Sequence, residues 1–184
     1  MVIATYTESE ISIDGVLTEP AWATAQPATG FTQKDPSEGK PATEWTEVRV
    51  LYDDKNIYIS AYCHDKTPDQ IIVHDITRDF EWLEEEEEEE EGEDIGFHVV
   101  NNWLDQDFFG FQLDTFNDNR NGFLMVTTPK GGQRDIQFFN EGRDVNFAWV
   151  GVWQVEARIH ENGWTAEFAI LFETLTSSKE KFQV

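Results

Sequence analysis

The chain has 184 residues, a length that suits one self-sufficient core, and it is 39% hydrophobic and 14% aromatic. Its formal net charge of -24 repels phosphate backbones and anionic membranes, which excludes nucleic acid as a partner. No apolar run approaches the length of a membrane-spanning helix.

The first predicted element is a short helix at Glu19 to Ala25, with Pro20 at a tolerated first-turn position. Val48 to Tyr52 alternates as a strand, Asp53-Asp54-Lys55-Asn56 supplies a turn, and Ile57 to Cys63 returns as the second arm of a hairpin. Cys63 is the single cysteine, so no internal disulfide can form; within this strand it reads as a small core residue. Glu84 to Glu91 is an unbroken run of eight acids. Adjacent like charges repel, so this run reads as a solvated loop over about 81–94. Phe108 to Leu113 and Gly122 to Thr127 are strands, with Asn117 to Asn121 between them. Asn and Asp tolerate the left-handed conformations that such a turn needs. Arg134 to Phe139 follows. Trp153 to Ile159 and Trp164 to Ile170 form a last hairpin across Glu161-Asn162-Gly163. Thr176 to Val184 is polar and reads as a cut end or a lead into something further on. Short strands at regular spacing predict an all-β fold: one antiparallel β-sandwich over 1–184 with one short N-terminal helix.

Chemistry-bearing motifs are few. There is no Gly-x-Ser-x-Gly, no His-Glu-x-x-His and no phosphate loop, and His64, His74, His98 and His160 lack zinc-ligand spacing. The chain is therefore read as non-catalytic. Oxygen donors are dense between Asp114 and Asn121. Asp114, Asn117 and Asp118, completed by Asp135 on a neighbouring strand, make a candidate calcium site, with a turn that bonds its own backbone as the competing reading. Seven Trp must be divided between core and surface. Trp22, Trp149, Trp153 and Trp164 read as core. Trp45, Trp82 and Trp103 have polar neighbours and read as loop or edge rings that could stack on a ligand. Arg49, Arg78, Asn102 and Gln112 could supply hydrogen bonds beside them.

Four blocks carry a resemblance. They are Ile13-Asp14-Gly15 through Glu19-Pro20-Ala21-Trp22; Thr46 to Asp54 followed by Ile57-Tyr58-Ile59; Leu113 to Asn121; and Trp149 to Trp153 followed by Gly163-Trp164-Thr165-Ala166-Glu167. In that order and spacing the chain resembles the family 9 carbohydrate-binding modules over nearly its whole length. The resemblance implies a jelly-roll-like sandwich of the DOMON and family 9 kind, an oligosaccharide or polysaccharide as partner, and calcium as a structural cofactor. Known modules of this family hold a sugar between two Trp rings. Trp45 stands where such relatives often carry a basic residue. The resemblance is nearest to N-terminal modules of Gram-negative proteins that continue into an outer-membrane-type β-barrel. It therefore implies an exported protein: periplasmic, outer membrane-associated or extracellular. The alternative is a structural domain that binds the barrel or another envelope protein and takes no glycan. That reading predicts buried Trp and an exposed apolar patch or sheet edge.

Overall fold

The computed structural model of the chain describes residues 2–74, 76–78 and 106–175. These form a sandwich of two sheets. The larger sheet contains β1 (Ala4–Tyr6), β2 (Thr46–Tyr52), β3 (Asn56–His64), β8 (Trp153–His160) and β9 (Gly163–Leu171), in the order β1-β2-β3-β9-β8. The smaller contains β4 (Phe109–Leu113), β5 (Gly122–Thr127), β6 (Gln133–Phe139) and β7 (Asp144–Asn146), in chain order. All pairings are antiparallel except β1 on β2, which is parallel.

Alternation decides which side chains enter the core. Val48 and Val50 of β2, Ile57, Ile59, Ala61 and Cys63 of β3, Trp164, Ala166, Phe168 and Ile170 of β9, and Trp153 and Val155 of β8 face inward. Phe109, Phe111 and Leu113 of β4 and Phe123 and Met125 of β5 meet them from the other sheet. Phe168 is the centre: Phe111 stands edge-on to it at 5.0 Å and the Trp153 ring is stacked against it at 5.8 Å. Cys63 packs against this core, and burial pushes its thiol up to about 12, so it is an inert core residue.

The predicted N-terminal helix is a single 3₁₀ turn, Pro20–Thr24. It lies on the outer face of the larger sheet, where Ala21 and Trp22 pack with Ile11, Leu51 and Tyr58. The expected hairpins form in their expected order, with strand ends moved by a residue or two. The segment between the 3₁₀ turn and β2 has structure of its own. Ala28 bridges Val48, Thr32 bridges Pro41, and backbone bonds from Gln33 to Lys40 and from Ala42 to Phe31 close a small projecting hairpin at the edge of β2.

Candidate functional site

The outer face of the larger sheet carries the even-numbered residues of β3 and the odd-numbered ones of β2 and β9. Register sets them in rows across the strands. One row is Leu51, Tyr58 and Ala169; the next is Arg49, Ser60, Glu167 and Glu156; the next is Glu47, Tyr62, Thr165 and Arg158. The last row begins at Trp45, whose carbonyl accepts the His64 N–H at 2.8 Å, and continues through His64 and Gly163 to His160.

One end of this face is covered. Glu167 is fully buried, and its carboxylate accepts the backbone N–H of Asp14 at 3.1 Å, the N–H of Gly15 at 2.9 Å and the Trp22 indole N–H at 2.9 Å. Burial pushes the Glu167 carboxyl up, and the nearby Glu19 charge adds to this against those donors. The Thr165 hydroxyl donates to the Gly15 carbonyl at 2.7 Å, and Arg158 donates to that of Asp14 at 2.6 Å. Gly15 needs its glycine: its φ is +78°, and a Cβ would stand 2.9 Å from Arg158 Cγ and 3.2 Å from the Ala157 carbonyl carbon. The Ile-Asp-Gly and Ala-Trp blocks are thus the two halves of a clasp that closes on Glu167.

The other end is open. Here the hairpin around Phe31, the start of β2, the end of β3 and the β8–β9 turn at Asn162 surround a cleft of about 600 Å³. Trp45 is 52% exposed on its wall, and Phe31, 44% exposed, lines it from the hairpin. The Trp45 indole N–H donates to Glu47 Oε1 at 3.2 Å, and Glu47 Oε2 pairs with Arg49 at 2.9 Å. Lys66 is paired with Glu44 at 2.9 Å. His64 also lines the cleft. Its ring stacks on Tyr62 at 3.8 Å with 14° between planes, and His160 stands edge-on to Tyr62 at 5.0 Å. Burial lowers the His160 pKa, and the neighbouring His64 lowers it further. His64 Nε2 is buried and has no hydrogen-bond partner among the described residues.

Among the residues predicted to bind a ligand, Trp45 and Arg49 come together here, joined through Glu47. Arg78 does not belong with them: it donates to the Gly151 carbonyl at 2.8 Å and lies 3.5 Å from Asp135. Gln112 is exposed on the outer face of the smaller sheet, across from Leu124. Trp82, Trp103, Asn102 and the Glu84 to Glu91 run lie outside the described residues. Trp22, Trp153 and Trp164 are buried and Trp149 is partly buried against Phe123, so Trp45 is the exposed Trp among the described residues. Phe31, Glu47, Tyr62, His64 and His160 were not singled out as ligand contacts. The alternation of Tyr62 and His64 along a strand was visible; their meeting with His160 depends on register across β9.

The calcium set needs a correction. Asp135 is 1% exposed and faces the core, where Oδ2 accepts the Gly151 N–H and the Trp153 indole N–H. It sits two strands over and three residues along from Asp114, roughly 14 Å away at ordinary sheet spacings. Asp114 accepts the N–H groups of Asp118 and Asn119, and Asp118 accepts those of Arg120 and Asn121. These bonds, with Asn117 and Asn119 at positive φ, make a turn that satisfies its own backbone. Asp114, Asn117, Asp118 and Asp135 are therefore not one donor set. No group of three His, Cys, Asp or Glu side chains suited to a metal ion occurs among the described residues.

No family model and no curated protein sequence matches the chain. Among solved structures, it is similar to a family 9 carbohydrate-binding module from Caldicellulosiruptor kristjanssonii in complex with cellotriose. The TM-score is 0.54 and the identity 11%, over 94% of this chain and 68% of that one. The likeness to a family 9 module from the same organism in complex with glucose is similar, at TM-score 0.54 and 10% identity, over 95% of this chain and 71% of that one. The likeness is one of fold: an all-β sandwich of two sheets.

Proposed function

We propose that this domain is a non-catalytic binding module for an uncharged carbohydrate, held in the Trp45 cleft. The observation that carries the reading is a half-exposed indole set in a concave site, beside paired charges and a half-exposed phenyl ring. A pyranose presents a C–H face that stacks on an aromatic ring, and its hydroxyls need fixed polar groups nearby. Trp45 and Phe31 offer the rings; Glu47, Asp65 and Asn162 offer the polar groups. The Trp45–Glu47–Arg49 chain fixes the indole before a ligand arrives, which reduces the entropy lost on binding. Lys66, which lines the cleft, is engaged by Glu44, Arg49 behind Glu47 is engaged by that carboxylate, and the whole chain is strongly acidic. An anionic glycan would meet repulsion from a chain of this charge. The fold shared with modules in complex with cellotriose and glucose supports the same reading.

The test is retention of the protein in native gels that contain neutral β-glucan, xylan or mannan, beside polygalacturonate. We expect retention by a neutral polysaccharide, none by polygalacturonate, and a loss on the order of thirtyfold in Trp45→Ala. Retention unaffected by that substitution would place the ligand elsewhere. If no neutral polysaccharide retains the folded protein, the glycan reading falls. Exposed Val150, Val152 and Ile159, in and beside the edge strand β8, then become the surface on which to seek a protein partner.

A further inference from the structure

The Trp45 cleft reaches to the β8–β9 turn. Asn162 of that turn already lines it, and the Asp65 N–H donates to the Asn162 carbonyl at 3.0 Å, so the end of β3 and the turn form one floor. Along the last row of the sheet the strand next to His64 contributes Gly163, which has no side chain. No other residue fits: a Cβ there would lie 2.1 Å from the Cys63 carbonyl oxygen and 2.7 Å from the Asp65 nitrogen. The gap lets the β3 and β8 rings meet over β9, with Tyr62 stacked on His64 and edge-on to His160. From Trp45 to His160 the row crosses three strand spacings, about 14 Å. That is longer than one sugar ring. Tyr62, His64 and His160 are each half-buried on this face, so ring surface continues along the row.

Resting on the glycan reading above, we infer that the site is a groove and not a single-sugar pocket. A neutral oligosaccharide stacks one ring on Trp45 and runs across Gly163, and its next sugar meets the His64–Tyr62–His160 cluster. Trp45 is the anchor; the imidazoles set the preference for a chain over a monosaccharide. Burial and the neighbouring His64 disfavour a charge on His160 against the nearby Glu161, so the extension suits hydroxyls as the first subsite does.

Calorimetric titration with glucose, cellotriose and cellohexaose decides the matter, with ¹H–¹⁵N imidazole spectra recorded in parallel. In the native protein we expect cellotriose to bind roughly tenfold more tightly than glucose. His160→Ala should remove that gain, while Trp45→Ala weakens all three on the order of thirtyfold. Cellotriose should shift the His64 and His160 ring resonances, and glucose should leave His160 in place; this readout needs no variant. Equal affinity for glucose and cellotriose, or a gain that survives in His160→Ala with unmoved His160 resonances, overturns the groove and leaves the Trp45 site standing. Failure of all three sugars to bind the folded native protein overturns the groove and the β-glucan form of the glycan reading together.

Discussion

The two ends of one sheet face are treated in opposite ways. At the Leu51–Tyr58–Ala169 end, the face is sealed by Ile11 to Ala25, pinned through Glu167. At the Trp45–His64–His160 end, the same face bears rings and paired charges and stays open to a cleft. The contrast teaches where polar groups are tied down. Glu167 is buried and accepts from three donors of the covering segment, whereas Glu47 holds one indole N–H at the surface and is backed by Arg49. A carboxylate that satisfies buried donors holds the fold; one at a rim can hold a side chain in place for a ligand.

The largest expected effect comes from removing the two carboxylates in turn. Glu167→Leu strands the Asp14 and Gly15 N–H groups and the Trp22 indole, and should lower unfolding free energy by about 3–5 kcal/mol. Glu47→Leu breaks a half-exposed pair and should cost at most about 1 kcal/mol. Urea denaturation of both variants measures the difference, and equal losses would break the distinction between the two ends.

A smaller effect separates two glycines with nearly the same backbone. Gly15 in the clasp and Gly39 in the hairpin beside the cleft have φ of +78° and +76°. A Cβ on Gly15 meets Arg158 and Ala157; one on Gly39 meets nothing within 4 Å. Gly39→Ala should therefore lose only the conformational term, about 1 kcal/mol, and Gly15→Ala roughly 1–2 kcal/mol more through displaced neighbours. Matching denaturation midpoints for the two would mean that the clasp yields as freely as the hairpin.

Much of the fold was legible because its signals are local. Alternation marked β2, β3, β8 and β9, and Asn162-Gly163 marked their last turn. The four-block resemblance pointed to the same sandwich that the solved structures share. β1 was not legible: three residues, two of them exposed, are held by parallel pairing to a strand some 45 positions on, and no local pattern encodes that. The site was legible in part. Trp45 stood out by its polar neighbours, and Arg49 by its charge. Asp135 was read as completing the Asp114 set from a neighbouring strand and Arg78 as a ligand hydrogen-bonder; strand parity turns Asp135 inward, where it holds Gly151, Trp153 and Arg78. The histidines were weighed for metal-ligand spacing, which is a matter of sequence distance. The actual relation of His64 and His160 is a row across three strands, bridged by a residue without a side chain.

The smallest effect is one of pH, and it sharpens the comparison by isolating a single group at the sealed end. Asp53, in the β2–β3 turn, accepts the N–H groups of Lys55 and Asn56 at 2.7 Å each and the Tyr58 hydroxyl at 2.8 Å; the Tyr58 ring lies under the clasp. Burial alone would raise the Asp53 carboxyl, but the backbone donors and then the hydroxyl outweigh it and hold it below its ordinary range. A carboxyl depressed in the folded state adds stability above its unfolded pKa and gives it up as pH falls through the folded one. Glu167 has the opposite sign: raised on folding, it favours the folded state at low pH and loses that contribution as pH rises through its folded value. His160 at the open end, with its pKa lowered, withdraws stability as pH drops through the imidazole range. The native curve mixes all three. Asp53→Asn keeps an acceptor for the backbone donors and removes only the charge, so its difference from the native protein cancels Glu167 and His160. That difference should be about 1 kcal/mol at pH 7, stay flat down to about pH 5, and close below about pH 4. Unfolding free energies at those pH values measure it. A gap that instead narrows between about pH 7 and pH 6 would show the two ends of the face to be coupled through the sheet, against the independence assigned to them here.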